Sequence, residues 1–211
     1  MKNALVWGAS GGIGQAIITK LSADGWTTIA VARDTGAIAS LVDHAFDAPF
    51  DDPDRIEQTA YLISQEVRQV DLFCYAAGDI FNAKVHEMAP QDWNRIIAAN
   101  LTGAYYAIHY SLPLLGEDAH IIFLGAVSER LRLPGLSAYA AAKSGLEAFA
   151  VALSKEQRKK RITVVRPGAV ETPLWDKVPM RLPADAASPE KVAEKILEAY
   201  HSGHKGHLDL V

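Results

Sequence analysis

Cysteine is all but missing: the 211 residues contain one, Cys74. No internal disulfide can form, and a chain without disulfides suits a reducing compartment, so a cytoplasmic protein is expected. Cys74 lies in the apolar stretch 71–77 and reads as a small buried hydrophobe rather than a nucleophile. Long hydrophobic runs are absent too. None reaches the about 18 residues that a membrane span requires, and Lys2 is followed by too few apolar residues before Gly8 for a signal peptide. A basic excess is also lacking. Lys and Arg number 21 against 25 Asp and Glu, a net charge of −4, which argues against a nucleic-acid footprint. No internal repeat or linker stands out.

What is present is a 49% hydrophobic, 22% charged chain. Those values fit one globular domain, residues 1–211, with a sizeable core. Strand and helix signals alternate along it. Strands are expected near 3–7, 27–32, 71–76, 119–125, 162–166 and 207–210, with a poorly marked one around Ala45 and Phe46, where 43–54 is acidic and broken by proline. Helices are expected near 13–24, 54–69, 90–115, 138–158 and 189–202. Alternating β and α with buried strands means an α/β fold: a Rossmann-like, doubly wound parallel sheet flanked by helices. The stretch 173–188, punctuated by Pro173, Pro179 and Pro183, reads as an excursion of the kind that forms substrate loops.

Two patterns carry chemistry. Residues 4–7 are a short apolar run leading into Gly8-Ala9-Ser10-Gly11-Gly12-Ile13-Gly14. An amphipathic stretch follows, with Ile13, Ile17, Ile18 and Leu21 on one face. This is strand, glycine turn and helix, the arrangement in which a pyrophosphate sits on a helix N-terminus. The spacing fits both G-x-x-x-G-x-G (Gly8, Gly12, Gly14) and G-x-x-G-x-x-G (Gly8, Gly11, Gly14). The second pattern is Tyr139 and Lys143, four apart in the alanine-rich run Ser137-Ala-Tyr139-Ala-Ala-Ala-Lys143. On a helix they share one face. An ammonium held near a phenol stabilises the phenolate and lowers its pKa, making a proton donor and acceptor usable near neutral pH. Asn100, in the apolar stretch 90–115, is unfavourable in a helix unless it has a purpose.

In its order of motifs the chain resembles the compact branch of the short-chain dehydrogenase/reductase family. Five landmarks occur in the family's sequence: Gly8 to Gly14, Tyr75-Ala-Ala-Gly78, Asn100-Leu-Thr-Gly103, Tyr139-Ala-Ala-Ala-Lys143, and Pro167-Gly-Ala-Val-Glu-Thr172. The length agrees with the compact branch and so favours the first glycine spacing. The resemblance implies a catalytic set of Tyr139, Lys143 and Asn100. Tyr139 would give a proton to a carbonyl oxygen or take one from an alcohol. Lys143 would lower its pKa and bind the nicotinamide ribose, and Asn100 would disturb its helix and hold a water connected to the lysine. The implied cofactor contacts are Gly8, Ser10, Gly12, Ile13 and Gly14 at the turn, Ala77 and Gly78 at the ribose, and Pro167, Gly168, Val170 and Thr172 at the nicotinamide and phosphates. Asn100, Tyr139 and Lys143 complete them.

The chain departs from the family pattern in three places. Ala126 stands thirteen residues before Tyr139, where the family usually has a hydrogen-bonding Ser. Ser128, two residues on, is a candidate replacement that requires the backbone to fold back. Trp7 replaces a small polar residue, and Tyr75 replaces an Asn. A substrate wall is implied at Val127, Trp175 and Met180, with Phe81, Leu131 and Leu133 as further apolar members, so a small substrate with an apolar part is expected.

For the cofactor, the strand 27–32 ends in Ala32 where an NAD enzyme carries an acid, and Arg33 follows. An Arg suits a 2′-phosphate, so NADP(H) is preferred, with NAD(H) open because Asp34 lies nearby. The overall expectation is an oxidoreductase moving a hydride between nicotinamide and a carbonyl or secondary alcohol. The rival is a dinucleotide-binding sensor with little turnover, for which Ala126 speaks. No metal is expected. His201, His204 and His207 read as a turn, and 158–161 reads as a basic helix end complementing the helix dipole. The apolar stretches 94–115 and 138–153 exceed what one sheet face covers, so a homodimer or homotetramer is expected.

Overall fold

The computed structural model describes residues 1–127, 131, 133–178 and 181–210. Seven strands form one parallel sheet in the order β3-β2-β1-β4-β5-β6-β7. The strands are β1 Asn3–Trp7, β2 Thr27–Ala32, β3 His44–Asp47, β4 Val70–Tyr75, β5 Leu115–Leu124, β6 Arg161–Pro167 and β7 Gly206–Leu210. The helices are α1 Gly12–Ala23, α2 Pro53–Glu66, α3 Pro90–Ile97, α4 Gly103–Ser111, α5 Ser137–Glu156 and α6 Pro189–Ser202. The expected Rossmann-like architecture is what the structure has.

Alternation along each strand sends neighbouring side chains to opposite faces, and two cores result. Leu5, Trp7, Phe73, Tyr75 and Phe123 face α2, α4 and α5. Ala4, Val6, Cys74 and Ile122 face α1 and α6. A third, smaller cluster of Ile80, Ile96, Leu136, Ala138 and Tyr139 sits at the carboxyl end of the sheet. Cys74 is fully buried, and burial pushes its thiol pKa up, as an inert core residue requires.

The elements differ from the sequence expectations in two informative ways. The stretch 90–115 is not one helix. α3 passes into a π-helical turn, Ala98–Thr102, before α4 begins, and a 3₁₀ turn, Leu112–Leu114, closes it. β5 starts four residues earlier than expected, because its pairing with β4 shifts register between Val70 and Leu72. The weak strand around Ala45 and Phe46 is real. It is an edge strand with no fully buried residue, which explains its faint signal.

At the amino end of the sheet, His120 is fully buried. Thr163 Oγ1 donates to the His204 carbonyl at 2.9 Å, so it accepts from His120 Nε2–H at 2.8 Å. The proton is therefore on Nε2, and Nδ1 is buried with no partner among the described residues. Burial, helped by the charges of Arg161, His204 and Lys205, lowers its pKa from 6.5 to about 3. The folded state thus binds fewer protons than the unfolded state between those values, and stability is lost as pH falls below about 6.5. The loss from this group should reach roughly 2 kcal/mol by pH 5. Urea unfolding at pH 7 and pH 5 should show it, and His120→Gln should flatten the drop. Equal pH slopes for the two proteins would show that the imidazole is not the cause.

Candidate active site

The strand order reverses between β1 and β4, and there the crossover helices leave the sheet on opposite faces, opening a crevice at the carboxyl ends. The β1–α1 turn lies in this crevice with almost no side-chain volume. Gly8 has φ +84°, and a Cβ on it would fall 2.2 Å from the Ala77 backbone nitrogen. A Cβ on Gly14 would lie 2.2 Å from the Gly8 carbonyl oxygen, and one on Gly12 would lie 2.7 Å from the Thr172 methyl. A Cβ on Gly11 would meet nothing closer than 3.4 Å. The structure thereby separates the two readings of the glycine spacing: Gly8, Gly12 and Gly14 require a bare backbone, and Gly11 does not. The first turn of α1 carries neither a capping side chain nor an acid, so its amides and the positive end of its dipole are left for an anion.

Two connected clefts run along the crevice. The larger, about 530 Å³, takes in Ser10, Gly12 and Ile13, the segment Pro167, Gly168, Val170 and Thr172, and Tyr139 and Lys143. The smaller, about 260 Å³, runs past Gly8 to Arg33. Ala77 and Gly78 line both. Asp34 lines neither: it is turned onto its own loop, accepting from the Gly36 amide at 2.8 Å. Gly14 and Asn100 stand behind the walls, Gly14 under Gly8 and Asn100 under Gly78.

Asn100 sits in the π turn, fully buried. Its Nδ2 donates to the Ile96 carbonyl one turn back at 2.9 Å and to the Asp79 carbonyl at 2.7 Å. Its Oδ1 has no donor among the described residues. A Cβ on Gly78 would lie 2.9 Å from that oxygen and 3.8 Å from Lys143 Nζ. An orphaned acceptor and a cation therefore face each other across bare backbone at the cleft wall. That is a fitting place for a hydroxyl-bearing ligand or a bridging water. Tyr75, the departure from the family pattern, also serves this turn. Its buried hydroxyl donates to the Ala99 carbonyl at 2.8 Å, and Gly103 leaves room for it.

Tyr139 and Lys143 share one face of α5 at the floor of the larger cleft, as their spacing requires. Lys143 Nζ donates to the Leu124 carbonyl at 2.7 Å and lies 5.6 Å from the centre of the Tyr139 ring. The expected lowering of the phenol pKa is not seen in the chain by itself. Burial dominates and pushes Tyr139 up to about 12, and burial brings Lys143 down to about 8 against the pull of Glu147. For the phenol, burial is the cause of the shift.

Ala126 and Val127 line the cleft, as do Trp175, Leu131 and Leu133. Phe81 packs outside it, against the smaller core cluster. Ser128 and Met180 lie outside the described residues. Ile80, Leu136, Leu174 and Val178 complete an apolar wall that sequence reading did not single out. Sequence reading also missed Asp79, Arg95 and Lys177. Asp79 bonds both Arg95 and Lys177, the latter at 2.6 Å. The available signal was an acid placed directly after Gly78 in an apolar stretch. Among the described residues no group of His, Cys, Asp and Glu could hold a metal, and the His204 ring instead meets the His207 carbonyl at 3.0 Å.

Comparisons with known proteins agree with this layout. The profile of the short chain dehydrogenase family matches residues 2–182. The chain is 28% identical to a 3-oxoacyl-(acyl-carrier-protein) reductase of Thermotoga maritima, over 93% of this chain and 89% of that protein. It is 32% identical to the enzyme of the same name from Escherichia coli K12, over 82% of this chain and 75% of that protein. Its fold superposes on an alcohol dehydrogenase from Thermococcus sibiricus complexed with 5-hydroxy-NADP, with a TM-score of 0.90 at 22% identity, covering 100% and 96% of the two chains. A glucose/ribitol dehydrogenase from Brucella melitensis gives 0.89 at 26% identity, covering 100% and 94%. The chain belongs to the short-chain dehydrogenase/reductase family. It is an oxidoreductase of that family, which works with a nicotinamide cofactor. No helix among the described residues is long and apolar enough to cross a membrane.

Proposed function

We propose that this chain is an NADP(H)-dependent oxidoreductase that moves a hydride between the nicotinamide and a carbonyl or secondary alcohol of a small, partly apolar substrate. The observation that carries the reading is the placing of Tyr139 and Lys143 on the floor of an apolar cleft whose other wall is the glycine turn. The whole chain acts as one dinucleotide-binding domain, with 173–188 as its substrate loop. The catalytic set is Tyr139, Lys143 and Asn100. The 3-oxo group named for the two reductase relatives supports a carbonyl as the reacting group.

A nicotinamide nucleotide bound in the crevice supplies or accepts the hydride. Its fit rests on the bare backbone at Gly8, Gly12, Gly14 and Gly78, the uncapped start of α1, and the orphaned Asn100 Oδ1. Lys143 keeps two of its three donors after binding Leu124, and these suit ribose hydroxyls. In reduction Tyr139 Oη gives its proton to the carbonyl oxygen, and in oxidation it takes that proton from the alcohol. Val127 and Trp175 bound the apolar part of the substrate. Ala126 offers the oxygen no second donor, which typically costs ~10²–10³ in rate. That favours a slow enzyme, and it is the one feature that favours a non-catalytic nucleotide sensor.

A panel of ketones and aldehydes assayed with NADPH separates the two. Turnover is expected. Tyr139→Phe should nearly abolish it while NADPH binding, followed by fluorescence, stays largely intact, and Ala126→Ser should raise kcat where the hydroxyl fits. Full activity in Tyr139→Phe would sink the mechanism.

Arg33 is exposed at the mouth of the smaller cleft while Asp34 is turned away, and the NADP named in the Thermococcus sibiricus complex points the same way. NADPH should bind more tightly than NADH, and Arg33→Ala should remove about 10–100-fold of that difference. Equal affinities of the unmutated protein for the two nucleotides would refute the preference.

The outer faces of α4 and α5 keep Tyr105 and Val151 exposed, with Tyr105 edge-on to Phe149 between the two helices. That apolar surface supports a two-fold homodimer or a homotetramer. Light scattering at micromolar concentration should give a dimer or tetramer mass, and a monomer mass would exclude it.

A further inference from the structure

Asp79 stands where four parts of the molecule meet. It follows Gly78 directly and is buried to 6% exposure, although it is a carboxylate. Its backbone carbonyl accepts from Asn100 Nδ2 at 2.7 Å. One carboxylate oxygen accepts from its neighbour, the Ile80 amide, at 2.9 Å and from Lys177 Nζ at 2.6 Å. The other accepts from Arg95 on α3. Lys177 ends the 3₁₀ turn Pro173–Lys177, which begins the excursion after β6. The base of that excursion is pinned independently, by the bridge between Val170 and Ala187 and by the Glu171 amide on the Ala187 carbonyl at 3.0 Å.

The ion pair links the linings of the two clefts. Lys177 lines the larger cleft and Asp79 the smaller, and the two clefts share Ser10, Gly11, Ala76, Ala77 and Gly78. A nucleotide running from Arg33 to Tyr139 passes that shared stretch. The contact between Asp79 and Lys177 therefore ties one cleft's wall to the other's next to that stretch, while the backbone of the same aspartate holds the amide of Asn100.

We propose that Asp79 is a positioning residue, which straps the segment 173–178 to the wall of the cofactor groove through Lys177 and fixes Asn100 through its own carbonyl. The inference rests on the reading of the crevice as a dinucleotide groove. Arg95 braces the aspartate from behind. Burial first, and then the guanidinium charges of Arg95 and Arg33, lower the Lys177 pKa. One carboxylate thus balances a cluster of cations, so the strap depends on the charge of Asp79 and not on its shape. Lys177 is half exposed, so the contact opens and closes at modest cost, as a groove that must exchange its nucleotide requires.

Two readouts test it, one without nucleotide and one with. In the nucleotide-free protein, Lys177→Met and Asp79→Asn should both speed hydrogen exchange at the Trp175 and Val178 amides, which close the 3₁₀ turn. Lys177→Arg should restore protection. In stopped-flow displacement, Lys177→Met should release NADPH about fivefold faster than the unmutated protein. Asp79→Asn should release it about tenfold faster or more, since it leaves cations facing each other. Asp79→Asn should also slow the single-turnover hydride step by more than Lys177→Met does, because it loses Arg95 as well as Lys177 and so loosens the residue whose backbone carbonyl holds Asn100. Release from the unmutated protein should quicken with salt, and that dependence should shrink in Lys177→Met. Exchange and release unchanged in both variants, in a protein that binds NADPH, would overturn this inference alone. An unmutated protein that binds no nicotinamide nucleotide would overturn the reading of the groove, and the strap with it.

Discussion

The site depends on one steric constraint: backbone must touch backbone where β1 and β4 end. Gly8 lies so close to the Ala77 nitrogen that no side chain fits between them, and Gly14 lies equally close to the Gly8 carbonyl. The Gly8 amide is fixed on the Val31 carbonyl and the Ala76 amide on the Trp7 carbonyl, so neither strand end can retreat. This contact brings the start of α1 against β4 and keeps the crevice bare of side chains beside the glycine turn. Everything that lines the crevice farther out is placed relative to that junction.

The same economy of space explains the π turn. A continuous α-helix from Pro90 to Ser111 would bury Asn100 without disturbing its backbone, but the extra residue per turn changes what the backbone needs. Side chains supply it. Asn100 Nδ2 covers the Ile96 carbonyl, and the hydroxyl of Tyr75 covers the Ala99 carbonyl. Each such bond contributes about 1 kcal/mol net, whereas an uncovered buried carbonyl costs more than that. Tyr75 looks like a departure when read against the family's motif alone. In three dimensions it is a structural partner of the residue that the motif exists to position.

Much of this was legible in the chain. The glycine turn, the alternation of strand and helix, and the spacing of Tyr139 and Lys143 are local signals, and local signals survive folding. Three kinds of feature were not. β3 is half-buried and acidic, so hydrophobic pattern barely marks it. The π turn adds only Asn100 and Thr102 as polar residues to the pattern, so periodicity reads straight through it. The cluster at Asp79 joins partners 16 and 98 residues away, and only the folded chain brings them together. The choice among glycines shows the opposite case. Spacing left Gly11 and Gly12 equivalent, and the contact of Gly12 with Thr172, far along the chain, decides between them.

The pairing of Tyr139 with Lys143 was read from spacing as a charge effect, and the folded chain shows that burial is the larger force. At neutral pH the phenol, raised to about 12, and the ammonium, near 8, both keep their protons. In the proposed reaction such a site is set to give a proton to a developing alkoxide rather than to accept one. Taking a proton from an alcohol first requires the phenolate, which the buried site disfavours. A polar ligand entering the cleft would offset that burial. Lys143 Nζ is held on the Leu124 carbonyl at 2.7 Å, and a polar ligand would have to draw it from there. The polar groups that could do so are the ribose hydroxyls for which Asn100 Oδ1 and bare Gly78 leave room. On this account the cofactor's arrival completes the acid–base pair as well as bringing the hydride, and the phenol is tuned only when there is chemistry to perform.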